Sequence, residues 1–393
     1  MKTLKIAIVG CGKIADSHAA QIGRIRECEI VAGCDTEPLM AQQFCERFGV
    51  KRSFSDLAQM FAEVAPDVVH VTTPPKSHFA VAKSCLESGC HVYVEKPFAL
   101  NEEEARTMIT MARERGLNIT AGHDDQFGHA ARRMRALVQS GFLGDGPVHM
   151  ESYYGYALGH TGYAGALLGD PRHWVRRLPG KLLHNIISHG IARIAEFLTT
   201  ESPRIIAWGF TSPMLRRMGE SEIIDELRVL IREGESATAY FTFSSQMRPL
   251  LHQFRLYGSK NGLVLDQDQE TLIKLRGDHL KSYLEKFVPP VSFAMQYLGN
   301  LKTNLYTFLR NDFHMKSGMK YLIESFYRSI REGTPPPIPY REILLTARIM
   351  DAIFEQIARR EPGISIDVST INMTAEDSAG VDRAIVANSR VTS

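Results

Sequence analysis

The chain opens with a pattern that leaves few folds available: Leu4-Lys5-Ile6-Ala7-Ile8-Val9, followed at once by Gly10-Cys11-Gly12-Lys13-Ile14-Ala15. A short apolar run of this kind reads as a strand of a parallel sheet, buried on both faces. Gly-x-Gly-x-x-Ala between such a strand and a helix makes a tight turn, leaves room for a diphosphate and points unpaired helix N–H groups at it. Gly10 is assigned to the turn, Gly12 to the close approach of the diphosphate, and Ala15 to packing of helix on strand. Lys13 and Ile14 complete the cradle, and the helix is expected to run to about Arg26. A second apolar run, Ile30 to Cys34, ends at Asp35. A carboxylate there can accept both hydroxyls of an adenosine ribose and repels a 2′-phosphate, so the pattern predicts NAD, with NADP disfavoured.

At 393 residues the chain exceeds one average domain. We expect a dinucleotide-binding domain over 1–126, a second domain over 127–372 and a polar tail over 373–393. A net charge of +2 makes no broad basic field, so nucleic acid is not an expected partner. The six cysteines (Cys11, Cys28, Cys34, Cys45, Cys85, Cys90) include no Cys-x-x-Cys pair and have no histidine at zinc spacing. This predicts free thiols in a reducing cytoplasm and no metal. Ile8-Val9-Gly10-Cys11 looks like a lipoprotein cleavage box, but the apolar stretch is too short for a signal peptide and is read as the first strand. No run approaches the ~20 apolar residues of a membrane span.

Strands and helices alternate over the first 125 residues, the signature of a doubly wound parallel sheet. Ser55 is the expected cap of the third helix. Asp67 leads into an apolar strand ending at Thr72-Thr73, and Pro74-Pro75 then carry the chain over the strand's carboxyl edge, where ligands bind in such sheets. His78 starts the next helix near the cofactor. His91 to Val94 runs straight into Glu95-Lys96-Pro97, which places Lys96 in the ligand crevice as a candidate for chemistry. Asn101 and Glu104 suit a capping box, and His123 with Asp124 follows the last strand of the sheet.

Beyond Gly146 the segments Pro147–Tyr154, Arg204–Phe210, Glu226–Ile231, Ser236–Ser244, Leu251–Tyr257 and Gly262–Asp266 read as an open, largely antiparallel sheet. The long insertion between its first two strands is the expected substrate pocket. It holds Tyr156, Trp174, His184, Asn185 and His189, with Leu182 to Phe197 read as one helix. Helices are sufficient to cover one face of this sheet, so a homodimer or homotetramer is expected on the other. Phe293 to Lys320 mixes apolar and basic residues and is read as packing on a partner subunit, with contact to a membrane surface as the alternative. Met315–Glu332 and Arg341–Arg360 complete the helices.

Taken in order, Gly10-Cys11-Gly12-Lys13-Ile14-Ala15, Asp35, Thr73-Pro74 with His78, Glu95-Lys96-Pro97, Gly141-Phe142-Leu143-Gly144 and His189 resemble the glucose–fructose oxidoreductase, inositol dehydrogenase and MocA family over residues 4 to 360. The resemblance implies a Rossmann domain followed by an α/β domain, and hydride transfer between a nicotinamide cofactor and a secondary alcohol of a sugar, activated sugar or polyol. It also implies that Lys96 reaches the nicotinamide ribose and the reacting oxygen, that Lys96–Pro97 is cis, and that His189 is the acid–base. Two alternatives stand beside this reading: a glycoside-cleaving enzyme that retains NAD, and a regulator that binds dinucleotide without turnover. The chain departs from the family around His189. Lys181 follows Gly180 where a glycine pair is usual, the position four residues before the histidine, usually Asp or Asn in the family, is Asn185, which cannot carry a proton, and Ala192 stands where an acid often follows it.

Overall fold

The computed structural model describes residues 3–158, 162–277, 280–281, 283–313 and 316–359; the tail 373–393 lies outside them. Strands and helices alternate as β1 (Leu4–Val9), α1 (Lys13–Ile22), β2 (Cys28–Cys34), α2 (Pro38–Phe48), β3 (Ser53–Phe54), α3 (Leu57–Val64), β4 (Val68–Val71), α4 (His78–Glu87), β5 (His91–Val94), α5 (Glu102–Glu114) and β6 (Ile119–Ala121). The six strands form one parallel sheet in the order β3-β2-β1-β4-β5-β6. Every residue of β4 and β6 is buried, which is why these strands read as apolar runs without alternation. The order reverses between β1 and β4, so the crossovers diverge there and open a crevice above the carboxyl ends. Val9 lies beside Cys34 and Val71, Val71 beside Val94, and Val94 beside Ala121. The next residue of each strand therefore falls in one row: Gly10, Asp35, Thr72, Glu95 and Gly122.

The chain continues through α6 (His129–Gln139), β7 (Pro147–Gly155), α7 (Gly162–Gly169), α8 (Lys181–Ile186), α9 (Ser188–Phe197), β8 (Arg204–Phe210), α10 (Pro213–Arg217), β9 (Glu226–Glu233), β10 (Ala237–Ser244), β11 (His252–Gly258), β12 (Asn261–Asp266) and β13 (Thr271–Arg276). It ends in α11 (Leu284–Leu309), α12 (Ser317–Glu332) and α13 (Tyr340–Arg359). The second sheet has the order β13-β12-β11-β7-β10-β9-β8 and is antiparallel except where β7 meets β10. α9 lies on this central pair: the Ser152 hydroxyl donates to Gly190 O at 3.1 Å, and a Cβ on Gly190 would stand 2.3 Å from the Phe241 ring. Ile206, Trp208 and Phe210 of β8 and Tyr240 of β10 are exposed. α12, well beyond the expected boundary at 126, buries Met319, Leu322, Ile323, Phe326 and Tyr327 in the core of the first sheet.

Several local expectations are corrected. α1 ends at Ile22, and Gly23 turns the chain toward β2 instead of letting the helix reach Arg26. Asp56 caps α3 in place of Ser55, its carboxylate accepting from Gln59 N–H at 2.8 Å. Asn101 accepts from Glu104 N–H as foreseen, but the Glu104 carboxylate reaches back to Leu100 N–H instead of closing on Asn101. The segment Leu182 to Phe197 is two helices that part at Ile187. Lys181, in place of the second glycine of the family pattern, sits at φ +47°, a left-handed conformation that costs a side-chain-bearing residue about 1–2 kcal/mol. β13 and the long α11 are additions to the expected elements.

Because α9 carries His189 and rests on Phe241 through a bare glycine, Gly190→Ala should overpack this contact. We expect a loss of about 1–3 kcal/mol of stability in urea unfolding. A loss below about 0.5 kcal/mol would mean that α9 can lift from the sheet without penalty.

Candidate functional site

A cavity of about 780 Å³ lies above the carboxyl row of the first sheet, lined by Gly10, Gly12, Lys13, Ile14, Asp35, Thr72, Thr73, Pro74, Glu95, Lys96, Trp174 and Asn185. Gly10 has φ +93°, and a Cβ there would meet Thr73 N at 2.6 Å, so only glycine fits. At Gly12 nothing lies within 4 Å of a Cβ position, and the N-terminus of α1 has no side-chain cap. Backbone donors there are open to a diphosphate. Ala15 is fully buried against the sheet. The Asp35 carboxylate accepts from Cys11 N–H at 2.7 Å and from Glu37 N–H at 2.9 Å, one bond on each oxygen. That fixes its orientation and leaves lone pairs for two ribose hydroxyls. The Thr72 hydroxyl donates to Gly10 O at 2.7 Å and locks the glycine turn onto β4. These residues fit a nicotinamide dinucleotide.

His78 braces the crevice wall, its Nδ1 lying 2.8 Å from Pro97 O and its Nε2 2.8 Å from Thr73 O. The Lys96–Pro97 peptide is cis, as the resemblance implied. Behind Lys96 runs a buried chain that the sequence did not announce. Glu95 Oε1 lies 2.8 Å from His18 Nε2, His18 Nδ1 lies 2.7 Å from His70 Nδ1, and His70 Nε2 lies 2.8 Å from the Tyr327 hydroxyl. An ionised carboxylate can only accept, so His18 Nε2–H donates to Glu95. Burial alone would raise the Glu95 pKa, but the His18 hydrogen bond and charge, with Lys96, hold it at about 2. Its other oxygen accepts from Lys96 N–H at 3.1 Å. Burial lowers the Lys96 pKa, and the charges of Glu95 and Asp124 oppose that shift.

The Lys96 ammonium donates to Asn185 O at 3.0 Å, joining the end of β5 to the α8–α9 segment. His189, the second residue of α9, follows, stacked on Tyr154 with ring centroids 6.0 Å apart and edge-on to His123 at 6.2 Å. Its Nδ1 lies 3.6 Å from Asp125 and 3.9 Å from Asp124, both on the turn that follows β6. Asp125 also accepts from Arg193 at 3.2 Å and from the Gln267 amide at 2.6 Å. Burial would raise its pKa, but His189, Arg193 and Gln267 outweigh that and hold it far below the usual range. Asp124 is pushed up to about 7 by burial and by the neighbouring Asp125 charge. Burial lowers His189 to about 4 and His123 to about 3, so both rings are neutral near pH 7. Asp124, Asp125 and His189 bring ligand atoms within 4.8 Å of one another, and Arg193 already supplies a positive charge to the acid pair.

Trp174 and Asn185 line the cavity with Lys96. Tyr156 follows β7 and packs half-buried on the second core, while His184 is buried and stacked on Phe354 at 5.0 Å. Neither figures among the described lining residues of the cavity of about 780 Å³, and the same holds for His123 and His189, which lie beside it on the turn after β6 and on α9. Arg176 pairs with Glu220 and donates to Leu167 O, a structural role. The residues that sequence reasoning missed are Asp125, His18, His70 and Tyr327. The one available signal was the Asp124-Asp125 doublet beside His123, directly after a strand.

The buried histidines give stability a definite sign with pH. A histidine whose native pKa is depressed contributes stability that is complete above its unfolded value near 6.5 and is lost as pH falls through the native value. His123, His184 and His189 all act in this direction between about pH 6.5 and 4. Asp124, raised to about 7, acts oppositely: its cost is greatest above 7 and is relieved on acidification. The lowered histidines, which also include His70, His78 and His91, outnumber the raised Asp124, Glu342 and His252, so stability should fall from pH 7 to 5 in urea titrations, and His184→Phe should flatten the slope. A slope unchanged by that substitution would count against a neutral buried His184.

Residues 4–123 match an oxidoreductase family with an NAD-binding Rossmann fold. Over 143 residues the chain is 36% identical to D-glucoside 3-dehydrogenase of Escherichia coli (strain K12), covering 36% of this chain and 41% of that protein. It thus spans about two-fifths of the length of that curated relative. Over 319 residues it is 22% identical to myo-inositol 2-dehydrogenase of Thermotoga maritima, covering 80% of this chain and 89% of that one. In fold it is similar to an oxidoreductase from Agrobacterium radiobacter solved in complex with NAD+, L-tartaric acid and magnesium, with TM-score 0.71 and 16% identity over 92% of this chain and 98% of that chain. Over residues 4–123 the chain is thus similar to the glucose–fructose oxidoreductase, inositol dehydrogenase and MocA family.

Proposed function

We propose that the protein is an NAD-dependent oxidoreductase that moves a hydride to or from a secondary alcohol carbon of a sugar, an activated sugar or a polyol. The observation that carries this reading is the meeting of Lys96, at the end of β5, with the segment holding Asn185 and His189, at the mouth of the dinucleotide crevice. A bound nicotinamide dinucleotide supplies the hydride acceptor or donor. In the oxidative direction the substrate hydroxyl gives its proton to Nε2 of neutral His189, and Asp125, facing Nδ1, stabilises the imidazolium. The Lys96 ammonium stabilises negative charge on the same oxygen. Asn185 offers an amide to neighbouring hydroxyls, and Trp174 offers an apolar plane. The names of two relatives, a glucoside dehydrogenase and an inositol dehydrogenase, support the substrate class.

Two further parts of the reading rest on composition and exposure. The exposed apolar row of β8 with Tyr240 supports a homo-oligomer built on the open sheet face. Six free thiols, five of them buried, support a cytoplasmic location.

The carboxylate of Asp35 faces the adenosine end, and Thr36 and Glu37 beside it bring no cation. NAD should therefore bind at least about tenfold more tightly than NADP, the worth of one charge-assisted contact. Calorimetric titration of both measures this, and equal affinities would overturn it. Against a panel of sugars and polyols, Lys96→Ala should abolish turnover at every pH. His189→Ala should lose about 10²–10⁴ in kcat with NAD affinity unchanged. Wild-type turnover in His189→Ala would remove His189 from the role. Retained NAD with no net reduction would indicate glycoside cleavage, and a panel without turnover would indicate a ligand-sensing regulator.

A further inference from the structure

α11 is amphipathic in the reverse sense to an ordinary surface helix. Its inward face is polar. Gln296 accepts from Lys274 N–H at 2.7 Å and donates to Lys274 O at 3.1 Å, and Asn300 does the same with the N–H and C=O of Leu272 at 3.1 and 3.0 Å. Asn304 donates to Gln269 O at 2.9 Å. These amides recur every four residues, so they share one helix face, and they close the free hydrogen-bonding edge of β13. Asn300 is buried and accepts from Arg133 as well. The rotation of α11 is therefore fixed, and its opposite face points away from the protein.

That opposite face is apolar. Twelve large apolar side chains between Leu284 and Leu309 are 45–74% exposed. They present on the order of 1,000 Å², whereas a stable interface needs roughly 800 Å² per partner. Beyond Pro289 and Pro290, which lie inside the helix, Val291, Met295, Leu298, Lys302, Leu305 and Leu309 follow at spacings of 4, 3, 4, 3 and 4. This is the seven-residue repeat that keeps one seam turned toward a second helix. The occupant we propose is a second copy of this chain: α11 pairs with α11 across a two-fold axis as an antiparallel coiled coil, an interface distinct from the open sheet face. Lys302 sets the direction. In a parallel pair the two ammonium groups would meet, whereas antiparallel helices place each beside apolar positions of the other, with its stem packed and its charge at the rim. A lipid surface fits less well, because an interfacial helix carries its lysines along the polar border and this one has a lysine within the seam.

The test uses the full chain carrying Leu298→Glu with Leu305→Glu, both exposed positions remote from the cavity. Light scattering at micromolar concentration should give half the wild-type mass, with unchanged circular dichroism and NAD affinity. Trp208→Glu, on the open sheet face, should leave helix pairing intact, so failure of the sheet interface and failure of this proposal are distinguishable. Lys302→Leu should lower the dissociation constant at least about tenfold, since it removes a charge from the seam. An unchanged mass in the double variant overturns the proposal. Should the wild type then co-sediment with vesicles of equal parts phosphatidylcholine and phosphatidylserine, the occupant is a lipid surface. Weaker association in Lys302→Leu overturns the seam.

Discussion

Four backbone hydrogen bonds at the carboxyl ends of the first sheet hold the candidate site at one level. Gly10 N–H donates to Cys34 O, Thr72 N–H to Val9 O, Glu95 N–H to Val71 O and Gly122 N–H to Val94 O, all at 2.8–2.9 Å. Each continues a strand ladder by one residue past the strand's last apolar position. The glycine turn, the Glu95-Lys96-Pro97 corner and the His123-Asp124-Asp125 turn are thereby launched from the same row. A one-residue slip of any strand would move its next residue out of that row and invert its side chains between the two helical layers. Burial on both faces forbids the slip, so the precision of the crevice derives from the same apolar residues that make the core.

A buried carboxylate at this row has a cost that the rest of the first domain offsets. Glu95 is ionised in the interior, which is unfavourable unless it is paired and hydrogen-bonded. The His18, His70 and Tyr327 chain provides that pairing through three successive buried hydrogen bonds. Burial keeps the His70 pKa well below its ordinary value and the Tyr327 pKa well above, so both groups are neutral near pH 7. Tyr327 lies on α12 and His18 on α1. The docking of a helix more than two hundred residues downstream thus completes the hydrogen-bonded chain behind Lys96.

What was legible in the sequence was local: Gly10, Gly12 and Asp35 advertise their roles through position after a strand, and Lys96 through the proline that follows it. The second sheet was legible from alternation, as in Thr238, Tyr240 and Thr242 against Ala239, Phe241 and Phe243. The break at Ile187 was not, because Leu182, Leu183, Ile186, Ile187 and Ile191 are all buried and an apolar run on every side shows no face. α11 escaped because Pro289 and Pro290 read as helix breakers and its outward face carries the apolar residues that normally mark the inside. The His18 to Tyr327 chain joins residues separated by as many as 257 positions in one hydrogen bond, and no spacing rule spans that distance. Asp125 reaches His189 by the same kind of long-range closure.

The family pattern around His189 lacks its acids here, at Asn185 and Ala192, yet the histidine is not without carboxylates. They arrive from the opposite side of the crevice, on the turn after β6. Arg193, next to the vacated position, neutralises Asp125 and leaves Asp124 as the member of the pair that burial and repulsion drive toward protonation. Two adjacent carboxyls with pKa values pushed apart assume different duties. Asp125 keeps its charge and can steady an imidazolium, while burial and the Asp125 charge push Asp124 toward its protonated form. Both carboxylates that face His189 Nδ1 thus come from the turn that follows the dinucleotide-binding sheet. Asn185 turns its backbone carbonyl to Lys96 and so ties this segment to the end of β5.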